Sequence, residues 1–473
     1  MVKSIKFSGV ITLLLLLTAS FSFASETAEN ALFDEESGEE TLIEQELNTL
    51  ELEGDNSESE EELILEEDGE SNLADTEETK PTRQTIEIAG KSGLEYRYFH
   101  DHGLEPGMRY HNNISFSLEP EFQYSWDEGH QSFDFKPFWR YDQHDSRRTH
   151  FDIRELIWRG NWGPWSVHAG IDKIFWGVTE SRHTIDIINQ TDLIENSDTE
   201  DKLGQPMLHV DYSSMKWGTF SFFYLPVSRQ RTFPGKKGRL RPSIPAQFGR
   251  LHISDSSDYR GSANQFHQDF AVRWARTFGY WDVGVVYFRG VTRRPRFKMG
   301  FDRFGRPVNL RPIYEIINQI GVDIQGVTGN WLWKLEAFTR SGQGKRFQQL
   351  TAGFEYTFSG VFSTGADLGF LMEYLHDTRD NNFPLLNFVP FEEDIFVGTR
   401  LALNDVQGTE LLAGATIDLD NATTFYNVEA SRRIGDRWKV YLEMRGFTNV
   451  DPKDPAYFFR KENYLQAELQ YFF

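Results

Sequence analysis

The chain has 473 residues, 15% of them aromatic, and no cysteine, which excludes disulfide frameworks, thiolate metal sites and cysteine nucleophiles. Its formal charge of −23 is unevenly spread: residues 25–79 hold 23 Asp or Glu and no Lys or Arg, whereas residues 80–473 hold 49 acids against 47 basic residues. The acidity belongs to one short stretch, and a nearly neutral, aromatic-rich body follows it.

Residues 1–24 read as a secretory signal peptide. Lys3 and Lys6 give a basic n-region, Val10 to Leu17 an apolar h-region, and Ser22-Phe23-Ala24 a cleavage site. The apolar run is shorter than the about 20 residues a helix needs to cross a bilayer. Residues 25–83 are expected to form an acidic, disordered periplasmic tether, because Glu, Asp, Ser, Asn and Gly bury too little apolar surface to offset ordering entropy. Leu42, Ile43, Leu47 and Leu50 have helix-like spacing within it, which keeps a small docking helix as the competing reading. A periplasmic partner of residues 25–79 is the contact this tether would serve.

From residue 84 to 473 the chain reads as strands. Ile114, Phe116, Leu118, Pro120, Phe122, Tyr124 and Trp126 alternate with polar residues, so one face meets an apolar medium and the other a polar one. The same period of two runs through Phe133 to Tyr141, Leu350 to Phe358, Leu411 to Leu419 and Leu465 to Phe473. Turn chemistry gives about 18 strands, with 16 as the alternative count. Short connections are expected at 127–130, 161–164, 216–218, 277–280, 328–330, 359–364, 405–408 and 434–437. Longer ones fall near 100–111, 142–149, 177–206, 227–264, 290–312, 341–346, 377–393, 420–423 and 448–462. Alternating short turns and long loops is the layout of an all-β, transmembrane antiparallel β-barrel.

Tryptophans 126, 162, 165, 217, 281, 331, 333 and 438 sit in or beside the short turns, as an aromatic girdle at the membrane boundary would require. A soluble sandwich or propeller is the alternative. Charged residues recurring on the polar face of strand after strand oppose it, since a wet lumen tolerates them and a dry core does not.

The chain ends Tyr464-Leu465-Gln466-Ala467-Glu468-Leu469-Gln470-Tyr471-Phe472-Phe473. This resembles the closing strand of Gram-negative outer-membrane porin-like β-barrels, with Tyr471 and Phe473 as the assembly signal. The resemblance implies insertion by the barrel-assembly machinery and contact with outer-membrane lipid and lipopolysaccharide. A shorter match, Gly170-Ile171-Asp172-Lys173-Ile174-Phe175-Trp176-Gly177, resembles the Gly-Arg-Gln…Trp-Gly strand end of porin-like families that include alginate-export barrels, with Asp172 where Arg is usual.

About 18 strands enclose a lumen too wide for side chains to fill. The connection 177–206 is the candidate constriction loop, carrying Glu180, Arg182, Asp186, Asp192 and Glu195 among its polar residues. Basic residues on polar faces, Arg97, Lys136, Arg140, Arg273, Arg340, Arg400 and Arg445, are the candidate pore lining. Opposed acids and arginines would set a transverse field; the competing reading pairs each arginine with a wall carboxylate such as Asp134, Asp269, Glu336 or Glu443. Residues 227–250 carry seven Lys or Arg and no acid, and 289–311 carry eight against Asp302 alone. That basicity suits either a vestibule steering anions inward or contact with lipopolysaccharide phosphates. Asp192 to Asp201 lack EF-hand spacing, and no metal or cofactor is expected. His252-Ile253-Ser254-Asp255 cannot form a triad from neighbouring loop positions; no enzyme activity and no nucleic-acid partner are expected. The reading is an outer-membrane channel for passive diffusion of small hydrophilic, anionic solutes. Export of an acidic polysaccharide and a non-conducting anchor or scaffold are its alternatives. Oligomeric state is not legible.

Overall fold

The computed structural model describes residues 84–242, 252–254, 256–379, 389 and 391–473; the signal peptide and tether expected within residues 1–83, like Asp255, lie outside them. The strands begin with β1 (Thr85–Phe99), β2 (Asn112–Trp126), β3 (Gln131–Asp142), β4 (His150–Trp162), β5 (Trp165–Asp172), β6 (Gln205–Ser214) and β7 (Gly218–Leu225). Two short strands, β8 (His252–Ile253) and β9 (Asp258–Tyr259), precede β10 (Asp269–Phe278) and β11 (Trp281–Val291). A second insertion, β12 (Arg296–Phe301) and β13 (Pro307–Tyr314), leads to β14 (Ile316–Thr328), β15 (Trp331–Ser341), β16 (Phe347–Val361) and β17 (Ala366–Asp377). The chain finishes with β18 (Glu393–Ala402), β19 (Glu410–Asp418), β20 (Thr424–Ile434), β21 (Trp438–Thr448) and β22 (Tyr464–Phe472).

Eighteen of these form one antiparallel sheet, each paired to its neighbour in order, with β7 joined to β10 and β11 to β14. It closes where β1 pairs with β22, Leu94 opposite Leu469, and the last amide, of Phe473, donates to the Gly90 carbonyl at 3.0 Å. Closure removes both open edges of the sheet, as a wall spanning lipid requires. Strands β8, β9, β12 and β13 make a separate small sheet within the loops 226–268 and 292–315. Residue spacing predicts only plain connections there, at 227–264 and 290–312.

The expected faces hold. Ile114, Phe116, Phe122 and Tyr124 point outward and are exposed, while Ser115 and Ser117 between them are buried inward. A solvated globule would not leave such a continuous apolar belt uncovered; lipid covers it in a transmembrane β-barrel. Tryptophans at the short-turn end pair across strands: Trp165 lies 4.8 Å from Tyr212, Trp331 4.7 Å from Tyr356, and Trp438 4.8 Å from Tyr471. Among the described residues no helix is long and apolar enough to cross a membrane.

One irregularity matters for the interior. β3 and β4 shift register between Lys136 and Pro137, so Arg154 has no cross-strand partner. Proline cannot donate to the ladder, and the resulting bulge re-aims a side chain. Arg154 lies at this bulge and faces inward with Asp152, over the Phe138 ring at 4.4 Å and onto Asp192 at 3.0 Å.

Candidate functional site: a loop fastened across the lumen

Residues 173–204, joining β5 to β6, fold inside the barrel. The first fastening is apolar. Ile185, Ile187, Ile188 and Trp176 pack on Met207, Phe223, Leu225, Ala271, Val286, Phe288 and Ile317, which face inward from β6, β7, β10, β11 and β14. These wall positions break the polar-inside pattern, and the loop's isoleucines cover them. Each fully buried side chain of this size contributes roughly 1.5–3 kcal/mol.

The second fastening uses two wall carboxylates. Glu336 on β15 accepts from the Val178 amide at 2.7 Å, the Thr179 amide at 3.0 Å, the Thr179 hydroxyl at 2.8 Å and the Ile185 amide at 3.0 Å. Glu373 on β17 accepts from the amides of Glu180 and Ser181 at 2.7 and 2.8 Å. Carboxylates suit this task because each offers about four lone-pair sites, while a buried loop turn leaves several amides without acceptors.

The third fastening is ionic and lies elsewhere on the wall. Arg140 on β3 meets Glu195 at 2.7 Å, Arg154 meets Asp192, and Arg445 on β21 meets Asp198 at 3.1 Å. Arg97 on β1 donates to the Glu195 carbonyl at 3.1 Å, and Arg148 to the Ile194 carbonyl at 3.0 Å. Beneath them, buried Glu95 holds Arg97, Arg140 and Arg148 at 3.0, 3.3 and 2.8 Å. Burial lowers the Arg148 guanidinium, but the carboxylates of Glu95, Glu195 and Asp142 outweigh it and raise the group well above its ordinary range. Among the described residues, no hydrogen bond or ion pair joins the loop to β19 or β20. The inward side chains there, including Glu410, Leu412, Asn427 and Glu429, bound the part of the lumen that the loop leaves uncovered.

All seven candidate wall cations point inward, and six are ion-paired. Lys136 pairs with Glu121 and Glu155, Arg273 with Asp323, and Arg400 with Glu180 and Glu355, besides Arg97, Arg140 and Arg445 above. Wall arginines and loop acids thus meet directly instead of facing each other across a gap. Of the carboxylates expected to pair, Asp134 goes to Arg159, Asp269 to Arg293 and Glu443 to Arg445, whereas Glu336 serves loop amides. Asp186 pairs with Lys202 at 2.7 Å. The carboxylates of Asp192, Glu195 and Asp198 are likewise engaged by arginines, which fits no calcium loop.

Arg340 differs. Its guanidinium donates to Gln319 at 2.8 Å and lies over Phe338 at 4.6 Å. Around it gather Arg294, which donates to Gln349 at 3.2 Å, Arg231, which donates to Gln190 and Thr191, and Arg182, which lies over Phe391 at 5.6 Å. Gln343 bridges Arg340 to the Arg294 carbonyl, and Arg340 and Arg379 share the Phe347 ring. Among the described residues no carboxylate lies at ion-pair distance from Arg182, Arg231, Arg294 or Arg340. Burial, then repulsion from Arg294 and Arg379, pushes Arg182 down to about 9; burial with Arg231 and Arg379 pushes Arg294 to about 10. Burial alone takes Arg231 to about 10. This cluster places four guanidiniums in the interior without a carboxylate partner among the described residues.

Part of the charge of the basic loops is neutralised where they fold: Arg229 pairs with Asp152, Arg239 with Glu462, Arg296 with Glu315 and Arg311 with Asp258. Sequence reasoning singled out Arg182 and Arg340 separately and placed Arg231 and Arg294 in two different loops. It missed Arg148, Arg154 and His150, whose sequence signal is only a basic residue or histidine near a strand start.

No protein-family model matches the chain, and no curated protein matches it. Among solved structures it is similar to a BenF-like porin from Pseudomonas fluorescens Pf-5, at 8% identity over 82% of this chain and 98% of that one, TM-score 0.47. It is also similar to Pseudomonas aeruginosa OpdO, at 8% identity over 82% and 96%, TM-score 0.46. A Rhodopseudomonas blastica porin variant aligns at 11% identity over 82% and 100%, TM-score 0.37. The porin-like barrel fold of this chain stands on its own strand pairing.

Proposed function

We propose that the protein is a porin-like channel of the outer membrane through which small hydrophilic solutes diffuse, anions in preference to cations. The observation that carries this reading is the group of Arg182, Arg231, Arg294 and Arg340, held inside the barrel on neutral partners. Guanidiniums stay charged at any physiological pH. Four of them in a partly dry space repel one another unless an anion is shared between them. The ion-paired arginines, Arg140, Arg273 and Arg400 included, add little field of their own.

The loop fastened at three places along the wall would narrow the lumen, so the solutes are small. An exporter of a folded or bulky polysaccharide would need that loop displaced. The same fastening favours one second reading, a barrel closed by its loop that serves as an anchor. Planar-bilayer recording separates the two, since a closed anchor carries no current. In a salt gradient the reversal potential should show anion preference. Arg182→Ser with Arg294→Ser should move it toward cations, and an unchanged potential would overturn the anion assignment.

A further inference from the structure

His150, the first residue of β4, lies beneath the loop between two of its acids. Its Nε2 is 3.6 Å from Glu195 Oε1 and 3.8 Å from Asp192 Oδ2, and the three atoms lie within 4.8 Å of one another. The other ring nitrogen, Nδ1, is 3.0 Å from the Arg148 carbonyl. A carbonyl only accepts, so Nδ1 carries a proton and the neutral ring presents its lone pair at Nε2.

That lone pair faces two carboxylates. The separations are too long for hydrogen bonds, and both His150 Nε2 and Glu195 Oε1 are buried without a hydrogen-bonding partner. The Glu195 side chain is only 4% exposed, and that of Asp192 is fully buried. Asp192 Oδ2 already accepts from Arg154, but the lone pairs of His150 Nε2 and Glu195 Oε1 face each other in one dry space, which is costly unless something positive sits between them.

The spacing says what would fit. Two metal–ligand bonds of about 2.0–2.2 Å at a tetrahedral angle hold the ligand atoms roughly 3.4 Å apart. Calcium and magnesium take oxygen ligands, whereas imidazole with carboxylate selects first-row transition ions. The outer contacts also have the form that orients metal ligands. Arg140 takes the far oxygen Oε2 of Glu195 at 2.7 Å, leaving Oε1 turned inward. Thr232 donates to Asp192 Oδ1 at 2.7 Å, and Arg154 shares Oδ2 at 3.0 Å.

We propose that His150, Asp192 and Glu195 form a site for a divalent transition metal, Zn²⁺ by its ligand set, which staples the lumen loop to β4. The inference goes beyond solute passage. Asp192 and Glu195 belong to the loop, so an ion here would add a direct link from both to His150, beside the Arg154–Asp192 bond that already joins loop and β4.

The experiment is calorimetric titration of the refolded full-length chain with Zn²⁺, read beside the chain's thermal unfolding in detergent. A second histidine pair, His102 and His111 with their Nε2 atoms 3.4 Å apart, could take the same ion, so the titration is repeated on His102→Gln. One Zn²⁺ should remain bound in His102→Gln, raising the unfolding temperature. Binding and the thermal shift should both disappear when His150→Gln or Glu195→Gln is added to His102→Gln. His150→Gln retains a polar side chain of similar size, and recovery of its circular dichroism shows that it folds. Failure of His102→Gln to bind Zn²⁺, or equal binding after His150→Gln is added to it, overturns the site. None of these readouts requires the barrel to conduct.

Discussion

Glu336 on the barrel wall and Ile185 in the lumen loop are 151 residues apart in sequence and meet as carboxylate and amide at 3.0 Å. The same carboxylate also takes the amides of Val178 and Thr179, so one inward side chain fixes the entire bend of the loop. This reverses the usual economy of a lumen acid, which pairs with a neighbouring arginine. Here the partners are backbone donors that nothing else on that side of the wall would satisfy.

Glu336→Ala should therefore free the loop while leaving the barrel closed. Each buried donor left unsatisfied costs about 1–3 kcal/mol, less where water enters. The expected outcome is a larger and noisier single-channel current, together with new proteolytic cleavage between residues 173 and 204. A current and digestion pattern identical to the parent would mean that the apolar fastening alone holds the loop.

Val285 and Val286 test the two media across one strand. Val285 faces outward and is exposed, whereas Val286 is buried under the loop. In a lipid bilayer, Val285→Lys should cost about 2–4 kcal/mol if it lies near the midplane. At an ordinary water-exposed position the change would stay within about 0.5 kcal/mol. Urea unfolding of vesicle-inserted protein measures the difference, and a negligible loss would remove Val285 from the lipid-facing belt.

Much of this wall is legible from residue order. Ile114 to Trp126 alternates without a break, and the strand found is Asn112–Trp126; a period of two survives because each face meets only one medium. The hairpin Arg296–Phe301 with Pro307–Tyr314 stayed hidden because Gly300, Gly305, Pro307 and Pro312 read as turn chemistry. The interior is less legible still. Arg154 is left without a cross-strand partner at the Lys136/Pro137 bulge, and Arg182, Arg231, Arg294 and Arg340 come from three loops and a strand. Their convergence depends on where the lumen loop rests, which side-chain period does not encode.

Glu95 should be the most sensitive acid of the wall. It is buried and answers three guanidiniums, with Arg148 alone donating to both of its oxygens at 2.8 Å. Removing one partner of a buried ionic group typically costs 3–5 kcal/mol, because the remaining charge stays desolvated. Glu95→Ala should lose stability on that scale, and adding Arg148→Ala should restore part of it through coupling. If the two changes simply add, the cluster is not a unit.

At the long-loop end, Glu392 gives the channel a pH response of predictable sign. Burial, then repulsion from Asp418, Asp377, Asp454 and Asp420, raises its carboxyl to about 7. Burial likewise raises Asp454, which with Glu392, Asp418 and Asn421 lines the same cavity of about 160 Å³. In the folded chain Glu392 keeps a proton that the unfolded chain releases near pH 4.3. Its contribution therefore favours folding below that pH and declines as pH rises to about 7. The charge it gains on ionising repels anions entering beside it. Anion preference should thus be greatest near pH 5 and fall by pH 8, with the largest change around pH 7. Glu392→Gln should flatten that dependence in reversal-potential measurements. A variant that still titrates around pH 7 would place the responsible group elsewhere in the mouth.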